Sequence, residues 1–271
     1  LVLLIDQSKS LRGSGLNFLG QALNSLAPVF AENDNSVRVA LATFSQDAQL
    51  LRSLDEGPLQ AQEFESLIKS VTVEGNLQGG TNYLAATELV LEEIRQHSDP
   101  LRCKVLIWFT DGEVDVPGEQ NRIVESQNVL SDFCGGDAST SSKAESFRSL
   151  GIQPYVVLLT NEPFQSTRPE LPSKDQSTDK ADPYRKWASV IALRGITGDW
   201  DEEGVAIQSP GTECDGFKDS WGKLFQVNGV DELVKALIFT LISTTTDSPP
   251  ELCPKSLSLI HISEPTRPER I

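Results

Sequence analysis

The chain has 271 residues, 38% hydrophobic and 23% charged, with a formal net charge of −16. That length supports one large domain, or one domain with an appendage, and the acidic excess leaves no basic surface to neutralise phosphates, which argues against nucleic acid as a partner. No apolar stretch reaches the roughly 18–20 residues that span a bilayer. Both ends are expected to be incomplete, so that a membrane or cell-wall anchor would lie outside these residues.

The apolar run LVLLI at residues 1–5 suits a strand buried on both faces, as in a parallel sheet. It stops at Asp6, Ser8 and Ser10, whose oxygens fall where the strand passes into a loop. In open α/β sheets that carboxyl-end crevice is where ligands bind. Packing does not explain hard-oxygen donors at alternating positions. They suit a small hard cation such as Mg²⁺, with Mn²⁺ able to substitute.

Leu16, Leu19, Leu23, Leu26 and Phe30 recur at helical spacing and predict an amphipathic helix over residues 15–31. A strand is expected over residues 37–44. After a Gln46-Asp47 turn, residues 48–51 read as the antiparallel edge of an otherwise parallel sheet. Phe64, Leu67, Ile68 and Val71 give a short helix. Gly79-Gly80-Thr81-Asn82 then places a hydroxyl in a tight loop, with Asn82 as cap of a helix that carries Leu84, Leu91 and Ile94 on one face and ends near His97. Residues 104–110 (KVLIWFT) form a second apolar strand, ending in Asp111-Gly112.

Residues 118–136 read as a polar loop with some helical character. Ala144, Phe147 and Leu150 mark a helix stopped by Gly151, and residues 152–159 the next parallel strand. The stretch 160–221 is rich in Pro, Ser, Thr and Asp, interrupted by one helical patch at about residues 184–193. Residues 224–227 are the expected last strand, and Asp231 would cap a helix bearing Leu233, Leu237 and Leu241. The alternation predicts a doubly wound α/β fold, its sheet mostly parallel with one antiparallel edge strand and helices on both faces. The expected domain is 1–245, with an irregular insertion at about 160–222 and a linker at 246–256. Residues 257–271 begin LSLIHISEPTR, which reads as a translated sequencing adaptor and is set aside with its His261.

Cys103, Cys134, Cys214 and Cys253 have no zinc-type spacing, and their even, wide distribution fits disulfides in an oxidising compartment. Topology favours Cys103 with Cys253 and Cys134 with Cys214, although four cysteines allow three pairings. Catalytic readings fare worse. An aspartate-based phosphatase would need a second acid where Ser8 stands. A serine nucleophile would need a His base, and His97 lies at the far end of a helix roughly 20 Å long. Gly79-Gly80 lacks the Lys-Ser/Thr of a phosphate-binding loop.

The ordered set D-x-S-x-S (Asp6, Ser8, Ser10), then Thr81, then T-D-G ending the second apolar strand at Asp111, resembles the metal-ion-dependent adhesion site of von Willebrand factor type A domains, as found in bacterial secreted and cell-surface proteins. The resemblance covers residues 1–243. It implies that Ser8 and Ser10 coordinate Mg²⁺ directly, Thr81 directly or through water, and Asp6 and Asp111 mostly through water. A position then stays open for an Asp or Glu of a protein partner. The function implied is binding, not catalysis, in a protein that is extracellular or at the cell surface. Similar domains also partner AAA-type ATPases inside cells, in metal insertion and chaperone work, and this is the alternative. Lys9 departs from the small residue usual between the two serines, and alternation around the loop turns it outward.

Overall fold

All five residues of the first strand, β1 (Val2–Asp6), are buried, as a strand covered on both faces requires. In the computed structural model the described residues are 1–24, 37–98, 103–112, 114–115, 122–135, 142–160, 169, 182–199, 221–227, 229 and 232. The further strands are β2 (Ala40–Phe44), β3 (Ala48–Arg52), β4 (Lys104–Thr110), β5 (Ile152–Leu159) and β6 (Lys223–Val227). They form one sheet in the order β3-β2-β1-β4-β5-β6. Only the β2–β3 pair is antiparallel, which gives the expected mostly parallel sheet with an antiparallel edge.

Helices cover both faces. Leu3, Ile5, Ile107 and Phe109 pack with Leu19 and Leu23 of α1 (Ser14–Asn24) and with Phe64 and Ile68 of α2 (Ala61–Val71). On the other face Val2, Leu4, Leu106 and Trp108 pack against three helices. These are α3 (Tyr83–His97), α4 (Arg122–Cys134) and α6 (Asp182–Thr197). The short α5 (Lys143–Ser149) adds Phe147 to that core. Alternate residues of each strand thus serve opposite cores, the two-residue period of the pleat.

Several elements differ from expectation. Residues 37–39 precede β2 rather than joining it, because Arg38 pairs with Pro58 outside the sheet. Where a polar loop was expected, α4 runs for 13 residues. Its buried side, with Glu125, Ser126, Val129, Leu130 and Phe133, mixes polar with apolar residues, which hides the helical period. Instead of a patch in an irregular stretch, α6 is a core helix that buries Tyr184, Trp187, Ile191, Leu193 and Ile196. On α3 the buried side is Tyr83, Ala86, Thr87, Val90, Leu91 and Ile94, with Leu84 at its margin. Residues 25–31 of the first expected helix lie outside the described residues, as do Asp231, the helix with Leu233, Leu237 and Leu241, residues 246–256 and residues 257–271. No described cysteine is a free thiol, but Cys214 and Cys253 also lie outside the described residues, and with them both expected pairings.

The edge strand is anchored by an internal cation. Arg52 is 2% exposed. Its guanidinium donates to Glu63 at 2.8 Å and to the carbonyls of Val39 (2.5 Å), Gly57 (3.0 Å) and Pro58 (3.2 Å). Its planar fork of donors suits several acceptors at once. Arg52→Ala orphans these acceptors and should lower unfolding free energy by about 3–5 kcal/mol. Glu63→Ala leaves the carbonyls in place and removes a partner that is 40% exposed, so a loss of about 1–2 kcal/mol is expected. Urea denaturation of the two variants checks the ranking.

Candidate metal centre

Strands β1 and β4 run side by side, Val2 opposite Leu106 and Ile5 opposite Phe109. Continued by one residue, this register sets Asp6 beside Thr110, on the face shared by Leu4 and Trp108. The Thr110 hydroxyl donates to Asp6 Oδ2 at 2.8 Å, and the Ser8 backbone N–H donates to Oδ1 at 2.8 Å. Asp6 is wholly buried at 0% exposure.

Beyond Asp6 the chain enters a 3₁₀ turn, Lys9–Leu11, pinned by the buried Leu11. Ser8 Oγ and Ser10 Oγ lie 2.7 Å apart, Ser8 buried and Ser10 exposed. The loop that carries Thr81 lies against this turn. Ser8 bridges to Gln78, and the Gln78 N–H donates to the Gln7 carbonyl at 3.0 Å. Thr81, itself buried, exchanges two backbone hydrogen bonds with Asp115, at 2.6 and 3.1 Å. Asn82 caps α3 as expected, its side chain accepting from the Ala85 N–H at 3.1 Å, while its own N–H donates to the Ser45 carbonyl at 2.7 Å. The Thr81 loop is therefore tied to the ends of β1, β2 and β4 together.

Asp111 follows β4 directly and is half-buried. The next residue, Gly112, has φ +86, and a Cβ there would collide with Leu158 Cδ1. The positive φ favours glycine at this position, immediately after Asp111.

The five expected ligands stand at or just past the carboxyl ends of β1 and β4, or in the loop before α3. Asp6, Ser8 and Ser10 are joined by hydrogen bonds, Asp111 acts on Asp6 through its charge, and Thr81 is held by its backbone in the adjoining loop. Lys9 is exposed, as alternation around the turn implies. Sequence reasoning missed Thr110 and Tyr83. Thr110 Oγ1 bonds Asp6 and lies 3.1 Å from the Tyr83 hydroxyl. The signal available was the first residue of T-D-G for Thr110; for Tyr83, the residue after Asn82, the sequence carries none.

Burial, and next the charge of Asp111, push the Asp6 carboxyl up to about 8, against the opposing pull of the hydrogen bonds from Ser8 and Thr110. Among the described residues no Lys, Arg or His pairs with Asp6. A divalent cation fits such a place: it supplies the missing positive charge, and the donors are all hard oxygens. Among the described residues no cluster of three or more His, Cys, Asp or Glu exists, so the serine and threonine hydroxyls would complete the donor set.

The family model described as von Willebrand factor type A domain matches residues 1–161. Proximal thread matrix protein 1 from the mussel byssus, solved with a zinc-occupied MIDAS motif, is similar at 14% identity and a TM-score of 0.51, over 88% of this chain and 46% of that one. The manganese-loaded Plasmodium vivax TRAP protein is similar at 14% identity and a TM-score of 0.50, over 87% and 70% of the two chains. The vWF domain of the type V pili tip protein Mfa5 from Porphyromonas gingivalis matches at 11% identity and a TM-score of 0.48, over 89% and 93%. At such identities the likeness to the mussel and Plasmodium proteins is one of fold. This chain spans less than half the length of the mussel protein. No curated protein matches it.

The Asp6 carboxyl makes stability depend on pH in the metal-free protein. Its folded value, about 8, lies above the ordinary 3.8, so between these values the folded chain holds a proton that the unfolded chain has released. Stability from this group is complete below about pH 4 and is lost as pH rises towards 8. In chelator, the melting temperature of Asp6→Asn relative to the parent should therefore climb as pH is raised from about 4 to 8. Paired thermal melts across that window check it, and parallel curves would contradict it.

Proposed function

Because the chain belongs to the von Willebrand factor type A family, we propose that it is a metal-dependent protein-binding module, in which a divalent cation held by Asp6, Ser8, Ser10, Thr81 and Asp111 captures an acidic side chain of a partner. The observation that carries this reading is the placement of a fully buried carboxylate beside a buried and an exposed serine hydroxyl 2.7 Å apart.

Bound there, the cation supplies an electrophilic position that a partner's Asp or Glu completes. The chain's own residues set its strength. Ser8, Ser10 and Thr81 offer neutral oxygens, and only Asp6 and Asp111 bring negative charge. Asp6 is restrained at both oxygens by Ser8 and Thr110, so its charge stays where burial put it. The exposed Ser10 and Lys9 mark the side from which a partner arrives. Mg²⁺ is the proposed ion on the hardness of the donors; the mussel protein has been solved with zinc in its MIDAS motif and the Plasmodium protein loaded with manganese.

The role is binding rather than catalysis. His97, the one histidine among the described residues, sits at the far end of α3, with Nδ1 3.8 Å from Asp55 Oδ2. An extracellular or cell-surface setting agrees with the net charge of −16 and with the absence of a free thiol among the described cysteines.

Calorimetric titration should show Mg²⁺ or Mn²⁺ binding that Asp111→Ala abolishes, by removing one of two carboxylates, and that Ser8→Ala nearly abolishes. Peptides bearing Asp or Glu should be retained on the immobilised protein with Mg²⁺, released by chelator, and ignored when the acid is replaced by its amide. Lys9→Ala should leave Mg²⁺ affinity unchanged and weaken peptide capture less than about fivefold, as for an exposed charge pair. Peptide retention undiminished in chelator would refute the mechanism. Titration of the denatured, unreduced protein should find no free thiol, and four would place it in a reducing compartment.

A further inference from the structure

Thr110 Oγ1 stands at the meeting point of three groups. It donates to Asp6 Oδ2 at 2.8 Å, accepts the Gly112 N–H at 3.2 Å, and lies 3.1 Å from the Tyr83 hydroxyl. A threonine hydroxyl has one proton and two lone pairs. With a cation bound, Asp6 is ionised and can only accept, so the Thr110 proton is committed to it. The Gly112 N–H takes one lone pair, and the Tyr83 hydroxyl must then donate to the other. Every position of this hydroxyl is filled, and its rotation is fixed.

Packing alone does not demand a tyrosine at residue 83. The ring is wholly buried, edge-on to Trp108 at 5.0 Å and to Phe44 at 6.0 Å and tilted against Phe133 at 6.3 Å. A phenylalanine would make the same ring contacts. Taking a hydroxyl into this core is costly unless it is bonded, and Thr110 meets that need. The same helix start carries Thr81 and the capping Asn82 immediately before Tyr83. One backbone segment therefore sets both a candidate ligand and the support of another.

We propose that Tyr83 is a positioning residue for the metal centre: its hydroxyl orients the Thr110 hydroxyl, which holds the Asp6 carboxylate in the pose that Ser8 also grips. The part concerning metal affinity rests on the function proposed above, whereas the positioning of Asp6 can be read without metal. Hydrogen-bonded supports of ligands commonly change metal affinity by about 10–100-fold when lost. Tyr83 acts one bond further out, so a smaller effect is expected, about two- to tenfold, as for one neutral hydrogen bond.

The test uses the full chain with Tyr83→Phe, Thr110→Val, Thr110→Ser and, as a packing control, Phe44→Leu. The first readout is hydrogen exchange of the Ser8 amide in chelator above about pH 8, where Asp6 is ionised and that N–H donates to its Oδ1. The second is Mg²⁺ affinity by calorimetry. Tyr83→Phe should speed Ser8 exchange by about threefold or more while keeping the ring contacts, and should weaken Mg²⁺ by about two- to tenfold. Thr110→Val should weaken it by about 10–100-fold, and Thr110→Ser should restore both readouts. Phe44→Leu should lower the melting temperature yet leave Mg²⁺ affinity within about twofold, because no hydroxyl is lost. Tyr83→Phe matching the parent in both readouts would overturn the proposal, as would Phe44→Leu weakening Mg²⁺ as much as Tyr83→Phe does. A parent that binds no divalent cation, with Ser8 exchange still responding to Tyr83→Phe, would refute the metal reading and support the positioning role. Firm Mg²⁺ binding indifferent to Tyr83 would refute the positioning role and spare the metal reading.

Discussion

Both carboxylate oxygens of Asp6 are engaged, one by the Ser8 amide and the other by the Thr110 hydroxyl, at a point with 0% solvent exposure. A negative charge taken out of water there is unfavourable unless paired. Its surroundings disfavour that charge, with a second carboxylate at Asp111, no Lys, Arg or His paired with it among the described residues, and neutral hydroxyls at Ser8 and Ser10. The turn at Gly112 and the double tie between Thr81 and Asp115 keep the neighbouring chain close. The sheet supplies the rigidity, since β1 and β4 are its innermost pair and each is clamped between two cores.

Much of this was legible in the sequence because it follows from period and punctuation. Apolar runs ending in Asp6 and Asp111 identified β1 and β4, and two such strands in a parallel sheet end on the same side. Gly151 and Asn82 marked a helix stop and a helix start correctly. Elements whose burial is not apolar stayed hidden. Helix α4 buries Glu125 and Ser126 beside Val129 and Phe133, so its stripe does not show as hydrophobic. Helix α6 was legible only as a patch at about residues 184–193, because the Pro, Ser and Asp content around it suggests a loop, and its core role through Tyr184, Trp187 and Ile191 was not. Arg52, one residue past the expected edge strand at 48–51, is an internal anchor that no sequence period marks. At the site, the ligand candidates could be found because their side chains are unusual at strand ends. Thr110 and Tyr83 could not, because a strand threonine and a helix tyrosine are ordinary until the register sets them beside Asp6.

The sheet order carries a consequence for how the protein is made. Strand β1 pairs with β2 on one side and, through Val2 and Leu106, with β4 on the other. The innermost strand thus waits for a neighbour about a hundred residues downstream, and at ordinary rates of synthesis that delay is roughly 5–20 s. Over that time its apolar faces depend on α1, α2 and β2, and the pieces contributed by residues 6–10, 81 and 110–111 do not yet share a location. Such a long-range closure is intrinsically slow. A ligand that recognises only the assembled constellation binds after this closure and never before it, so it cannot speed the closure, yet by mass action it stabilises the finished fold over every partly folded form.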